Sequence, residues 1–334
     1  MRLKVYRYLF ALLIFTGAQS IPTMALATIL VVGHQNPDTD AIASAIAAAH
    51  LKTALGSPAQ ARAQGKPNAE TRFVLKRFGF DAPLIQHHYA GHDVILVDHS
   101  DEQLAPEDIN KARIVGIYDH HKLGGIRSKE PLEIVTKPWG STATVLQEIF
   151  VQKNIPIPPP LAGLMLSAIL SDTRTFVSPT TTPQDRLAAR VLADIAGIDD
   201  MNALGQQMLQ AYNEEMQQLD EATLVGLDMK IFNMGSFKIG VTQIETLDAS
   251  MLTPRWPLLQ KEILKFQKTQ NLDGVVMAIT DLQRGGSTLF AVGPQAGRIQ
   301  KALKLDDPDA GTWKPDLFSR KRQLIPALEL AFSE

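Results

Sequence analysis

Gly33-His34-Gln35-Asn36-Pro37-Asp38-Thr39-Asp40 follows directly on the apolar run Ile29-Leu30-Val31-Val32, and this junction decides the fold. A continuous aliphatic run of this kind suits a strand buried on both faces, as in a parallel sheet. The Ala-rich stretch Ala41 to Leu55, closed near Gly56, reads as the helix that follows. Downstream the pattern repeats. Glu70 to Phe78 predicts a helix, and Val94 to Val97 and Ile114 to Tyr118 predict two further buried strands. Strands alternating with helices give an open α/β sheet, and in such sheets ligands bind beyond the carboxyl ends of the strands. Each of the three runs ends in a polar cluster: the octapeptide above, Asp98-His99-Ser100, and Asp119-His120-His121. Three acidic and histidine clusters therefore converge on one edge.

Beyond them the sequence predicts a helix from Ser141 to Val151, a break at Pro158-Pro159-Pro160, and an apolar helix from Leu161 to Leu170 that ends in Ser171-Asp172-Thr173. Another helix begins near Pro183, and Asn202 to Leu227 reads as one long helix bridging two domains. After it, Phe237 to Ile244, Val275 to Thr280 and Leu289 to Val292 predict strands, with helices over Trp256 to Gln270 and Gln295 to Leu303. A length of 334 residues with 45% hydrophobic content supports two such domains. The formal net charge of -2 offers no positive field for nucleic acid. The chain has no cysteine, so thiolate metal sites and cysteine nucleophiles are excluded.

Residues 1–27 differ in character. Arg2, Lys4 and Arg7 precede the apolar run Tyr8 to Phe15, and Ala25-Leu26-Ala27 has the small-x-small form of a signal peptidase site. The run is too short to span a bilayer, so the reading is a cleaved export signal and a periplasmic or extracellular protein. The alternative is translation from Met24 and a cytoplasmic protein.

The chemistry lies in the clusters. A turn lets His34, Asp38 and Asp40 point into one space. Either Asp alone could simply cap the helix, but one cap does not require two Asp and a His. Asp98 stands at a strand end, where a carboxylate can serve two cations, and His99 reads as its hydrogen-bonded orienting partner. Neighbouring side chains leave a strand on opposite sides. Of His120 and His121, one therefore holds metal while the other faces substrate, with Asp119 orienting an imidazole. Asp172 is a fourth candidate carboxylate, its plain alternative being a helix-terminal polar residue. Carboxylates and imidazoles without sulfur suit Mn, Fe, Co or Zn rather than an all-oxygen Mg site. A metal pair so held can support phosphoryl transfer, and Ser319-Arg320-Lys321-Arg322-Gln323 offers the positive charge that reaction needs.

Taken together, GHQNPDTD (33–40), VDH (97–99), DHH (119–121), SDT (171–173) and SRKRQ (319–323) resemble, in order along the chain, the family II inorganic pyrophosphatases of the DHH phosphoesterase superfamily. The DHH element is shared with exopolyphosphatases, RecJ-like nucleases and oligonucleotide phosphodiesterases, whereas the opening motif with SRK-x-Q is narrower. The resemblance implies a DHH domain (28–212) with a parallel sheet flanked by helices, a linker (213–220), and a smaller DHHA2-type α/β domain (221–334) with a mixed sheet. It implies hydrolysis of pyrophosphate to two orthophosphates by a hydroxide bridging two Mn2+ per subunit, with Co2+ a possible substitute and Mg2+ accompanying the substrate. By motif, His34, Asp38 and Asp98 would hold one ion, and Asp40, Asp98, His120 and Asp172 the other. His121, Lys230, Arg320 and Lys321 would contact pyrophosphate. A homodimer joined through the first domain and a cytoplasmic location are also implied, the latter at odds with the leader. Arg322 stands where the family commonly has Lys. Two readings compete: a DHH phosphoesterase acting on polyphosphate or oligonucleotides, and a non-catalytic phosphate receptor.

Overall fold

The structure is a computed structural model that describes residues 27–246, 249–282, 284–306 and 311–333. All but the last residue of the expected leader lies outside the described residues. Among those described, no helix is long and apolar enough to cross a membrane.

The first half runs β1 (Ile29–Val32), α1 (Thr39–Ala54), β2 (Ala59–Ala63), α2 (Ala69–Phe78), β3 (Leu84–Ile85), β4 (Asp93–Val97), β5 (Arg113–Asp119), β6 (Glu133–Thr136), α3 (Thr142–Gln152), α4 (Pro159–Asp172) and α5 (Pro183–Ala196). Its six strands stand in the order β3-β2-β1-β4-β5-β6, and every pairing is parallel. The chain builds outward from β1 in one direction, returns to β4 beside it, and builds outward in the other. The strand order thus reverses between β1 and β4, the place where α/β sheets open a ligand crevice. The period of two divides each central strand between two cores. Val31, Ile95 and Val97 meet the helices, while Leu30, Val32, Val94 and Leu96 meet Tyr89, Ala105 and Ile109.

Two close approaches fix this packing. A Cβ on Gly33 would lie 2.7 Å from that of Ala41, so only glycine lets β1 turn so tightly into α1. A Cβ on Gly163 would lie 2.2 Å from the Phe78 ring. Overpacking of this kind costs about 1–3 kcal/mol, so Gly163→Ala should lower the thermal midpoint in a calorimetric scan without touching the polar edge.

Two expectations are corrected. The break before the apolar helix ends at Pro158 rather than Pro160: Pro159 and Pro160 form the first turn of α4, where a missing N–H costs nothing. The long bridging helix is two, α6 (Met201–Gln218) and α7 (Glu221–Gly226). Leu219 turns extended (ψ 144°), and Asp220 caps the new helix by accepting from the Thr223 amide. Along α6, Met208 belongs to the first core and Met216 to the second.

The second half comprises β7 (Lys230–Met234), β8 (Phe237–Thr246), α8 (Trp256–Thr269), β9 (Gly274–Asp281), β10 (Gly286–Val292), α9 (Ala296–Leu303), β11 (Thr312–Pro315), a π-helical turn at Arg320–Leu324 and α10 (Ile325–Phe332). Its sheet, β11-β10-β9-β8-β7, is mixed, with β8 and β9 the one parallel pair. Central β9 is buried along its whole length. One face packs on α7 and α8, the other on α9 and α10.

Candidate metal centre

The carboxyl ends of β1, β4 and β5 and the end of α4 bring His34, Asp38, Asp40, Asp98, His120 and Asp172 together. The ligand atoms of His34, Asp38 and Asp98 lie within 4.8 Å of one another, as do those of Asp40, Asp98, His120 and Asp172. A third grouping joins Asp98 and His120 to His121. Asp98 belongs to all three.

Local structure explains each placement. Asp38 is the N-cap of α1, one oxygen accepting from the Ala41 amide at 2.9 Å while the other lies 3.4 Å from His34 Nε2. It therefore caps and faces the cluster at once. Asp40, fully buried, accepts from the Thr142 and Ala143 amides at the start of α3 and from the Ser44 hydroxyl. Asp98 adopts a left-handed backbone (φ 62°), strain of the sort that concentrates at functional positions. That bend puts its carboxylate 3.4 Å from both His34 Nε2 and His120 Nε2, with the Thr142 hydroxyl donating to it at 3.0 Å.

The imidazoles are set by their far nitrogens. His34 Nδ1 meets the Gln35 carbonyl at 2.7 Å and His120 Nδ1 the Trp139 carbonyl at 3.0 Å, which directs both Nε2 atoms into the cluster. Asp119 holds His121 through Nδ1 at 2.9 Å and also accepts the His120 and His121 amides. Burial and the neighbouring His120 push the His121 pKa down to about 4, so this ring is neutral. Among the described residues, His99 bonds no carboxylate. Its Nδ1 donates to the Val97 carbonyl, burial lowers its pKa to about 4, and its buried Nε2 has no partner among the described residues.

The second domain brings cations to this edge. Lys321, exposed in the π-helical turn, feels the charges of Asp98, Asp172 and Asp119 and of Lys230 at the start of β7; partial desolvation lowers its pKa. Arg320 is held by Asp228, its guanidinium 2.8 Å from the carboxylate and donating to the Asp228 carbonyl. Arg322 reaches the Pro179 carbonyl of the first domain, and Arg174, just past Asp172, pairs with Glu245 of β8. Thr142, Asp228 and Arg174 were missing from the sequence reading. Thr142 follows the capping Ser141, a visible helix start, but no local pattern signals that its amide meets a carboxylate 102 residues away.

A family model described as the DHH family, N-terminal domain, matches residues 28–169, and a DHHA2 domain model matches 206–331. The manganese-dependent inorganic pyrophosphatase of Bacillus subtilis is 38% identical over 308 residues, covering 92% of this chain and 99% of its own. That of Methanocaldococcus jannaschii is 36% identical over 311 residues, covering 91% and 99%. The chain belongs to the manganese-dependent inorganic pyrophosphatase family. A solved family II inorganic pyrophosphatase structure from Methanococcus jannaschii superposes with a TM-score of 0.82 at 36% identity, covering 92% of this chain and all of that one.

The donor chemistry suits the divalent ion for which manganese-dependent inorganic pyrophosphatases are named. Four carboxylates crowd the site. Burial and the charges of Asp40, Asp38 and Asp98 push the Asp172 pKa well above the carboxylate range, and burial and Asp98 push Asp40 up to about 7. Burial disfavours a charged His34, yet Asp38 and Asp98 outweigh it and raise its pKa to about 10. His120 and His34 hold Asp98 well below the usual range against burial. With Nδ1–H spent on a carbonyl, each neutral Nε2 lone pair would face carboxylate oxygens at 3.4 Å, a repulsive arrangement. Protons relieve it in the metal-free protein; a cation seated between the same atoms would relieve it better.

Proposed function

We propose that this protein hydrolyses inorganic pyrophosphate to two orthophosphates, with two manganese ions per subunit. The observation that carries the reading is Asp98, shared by the His34–Asp38 and the Asp40–His120–Asp172 groups. The ions would sit on those two sets, with Asp98 common to both. They supply charge neutralisation for the phosphoryl oxygens and a lowered pKa for the attacking water. The chain does the rest. His121, neutral and held by Asp119, presents Nε2 as a hydrogen-bonding group to the substrate. Lys230, Arg320 and Lys321 neutralise the non-reacting oxygens, and the second domain excludes water.

The same reading takes Co2+ as a substitute, Mg2+ as the companion of the substrate, and a homodimer joined through the first domain. It divides the chain into a metal-binding domain at 28–212, a linker at 213–220 and a substrate-binding domain at 221–334. It includes export if the segment 1–27 acts as a signal, and a cytoplasmic enzyme if translation starts at Met24.

The test is phosphate release from pyrophosphate, tripolyphosphate and a dinucleotide after preincubation with manganese. Fast release from pyrophosphate alone is expected; preference for either other substrate would overturn the assignment. Manganese should also stabilise the stripped protein, by about 2.7 kcal/mol at a hundred times Kd. Binding at pH 7 should expel protons, because His34, with its pKa near 10, is protonated without metal and the raised pKa of Asp172 favours its protonated form. Calorimetry in buffers of different ionisation enthalpy reads that release directly.

A further inference from the structure

We propose that Glu70 is a positioning residue for the metal centre, tying the end of α4 that carries Asp172 to the start of α1 that carries Asp38 and Asp40. The inference rests on reading the acidic cluster as a manganese site and adds a residue outside every ligand group in it.

One carboxylate oxygen makes the tie. Glu70 Oε1 accepts from the Thr39 hydroxyl at 2.5 Å and from the Ser171 hydroxyl at 2.5 Å. Thr39 lies between Asp38 and Asp40, and Ser171 immediately precedes Asp172. The donors come from stretches 31 and 101 residues away from Glu70, so nothing local imposes the meeting. The anchor is itself fixed. Asn68 caps α2 by accepting from the Thr71 amide and hydroxyl, the Thr71 hydroxyl lies 3.0 Å from that of Thr39, and the Ala69 amide donates to Glu215 of α6.

The tie answers a physical need. Asp40 and Asp172 must place oxygens within 4.8 Å of each other to serve one ion. Two hydroxyls sharing one acceptor hold the spacing without adding a ligand or blocking a lone pair on either Asp. Residues that orient ligands in this way commonly govern metal affinity by 10–100-fold.

The experiment is manganese titration of the metal-stripped full chain by calorimetry, for wild type, Glu70→Ala, Glu70→Gln and Ser171→Ala, with melting curves of each stripped protein. Glu70→Ala and Ser171→Ala should each weaken one of the two binding steps by about tenfold or more. Glu70→Gln keeps an acceptor oxygen and should stay within about threefold of wild type. The manganese dependence of turnover should shift in parallel, while KM for pyrophosphate at saturating manganese stays put. Should Glu70→Ala and Ser171→Ala, folded by their melting curves, take both ions like wild type, the proposal fails. It fails equally if Glu70→Gln loses as much as Glu70→Ala, since charge rather than position would then be acting. A wild type that binds no manganese overturns the metal site itself, an outcome visible before any variant is compared.

Discussion

Replacing Asp98 with asparagine is expected to abolish tight manganese binding and to lower kcat/KM for pyrophosphate by roughly a thousandfold or more, since metal activation supplies several kcal/mol and each 1.4 kcal/mol is a factor of ten. Asp98 stands in every ligand group, between His34 and His120, and is only 1% exposed. Two neighbouring carboxylates are not free to swing in and replace it. Asp38 is committed to capping α1, and Asp40 to the amides of α3. Asparagine is the informative substitution because it tolerates the left-handed backbone at φ 62° better than alanine does. Its amide oxygen can still accept from the Thr142 hydroxyl. A folded Asp98→Asn protein without metal would therefore report the missing charge rather than a broken turn. Metal content by elemental analysis beside turnover checks this, and near-normal values for both would sink the shared-ligand reading.

The residues that set this site were legible where chain order and chemistry coincide. Ile29–Val32 announced its burial by being aliphatic throughout, and the motif after it had to leave the sheet because Gly33 and Pro37 forbid continuation. The cap-or-ligand question for Asp38 had no answer in sequence, because a carboxylate has two oxygens and the structure uses one for each role. β2 escaped notice because Ala-Gln-Ala-Arg-Ala carries no β-branched residue and is made a strand by its parallel neighbours. Two-residue β3 is shorter than any periodicity. Likewise, Asp228 with Arg320 and Arg174 with Glu245 join residues 92 and 71 positions apart, the first pair within the second domain and the second between the two domains, and no local pattern signals either. His99 looked like an orienting partner for Asp98 by adjacency, but a turn that sends Asp98 into the cluster sends its neighbour back toward the Val97 carbonyl.

Lys321→Ala, by contrast, should leave manganese binding intact and still reduce kcat/KM by roughly 10²- to 10³-fold, the usual consequence of removing one donor aimed at developing oxyanion charge. Lys321 comes from the second domain and feels the charges of Asp98, Asp172 and Asp119 without belonging to any ligand group. On the proposed reading its work is electrostatic, and it acts on the substrate rather than on the ions. Partial desolvation, the largest influence, lowers its pKa, and Lys230 beside it adds to that against the attraction of the carboxylates. A lysine with a depressed pKa loses its charge as pH rises, at a lower pH than an ordinary lysine. The alkaline limb of kcat/KM, which reports the free enzyme, should therefore begin to fall below the normal lysine range. Arginine does not deprotonate there, so Lys321→Arg should push that limb to higher pH even while its different geometry lowers the plateau. An unchanged limb in Lys321→Arg would assign the alkaline loss to another group. Loss of metal from Lys321→Ala would show that the second domain helps to build the metal centre rather than only closing over it.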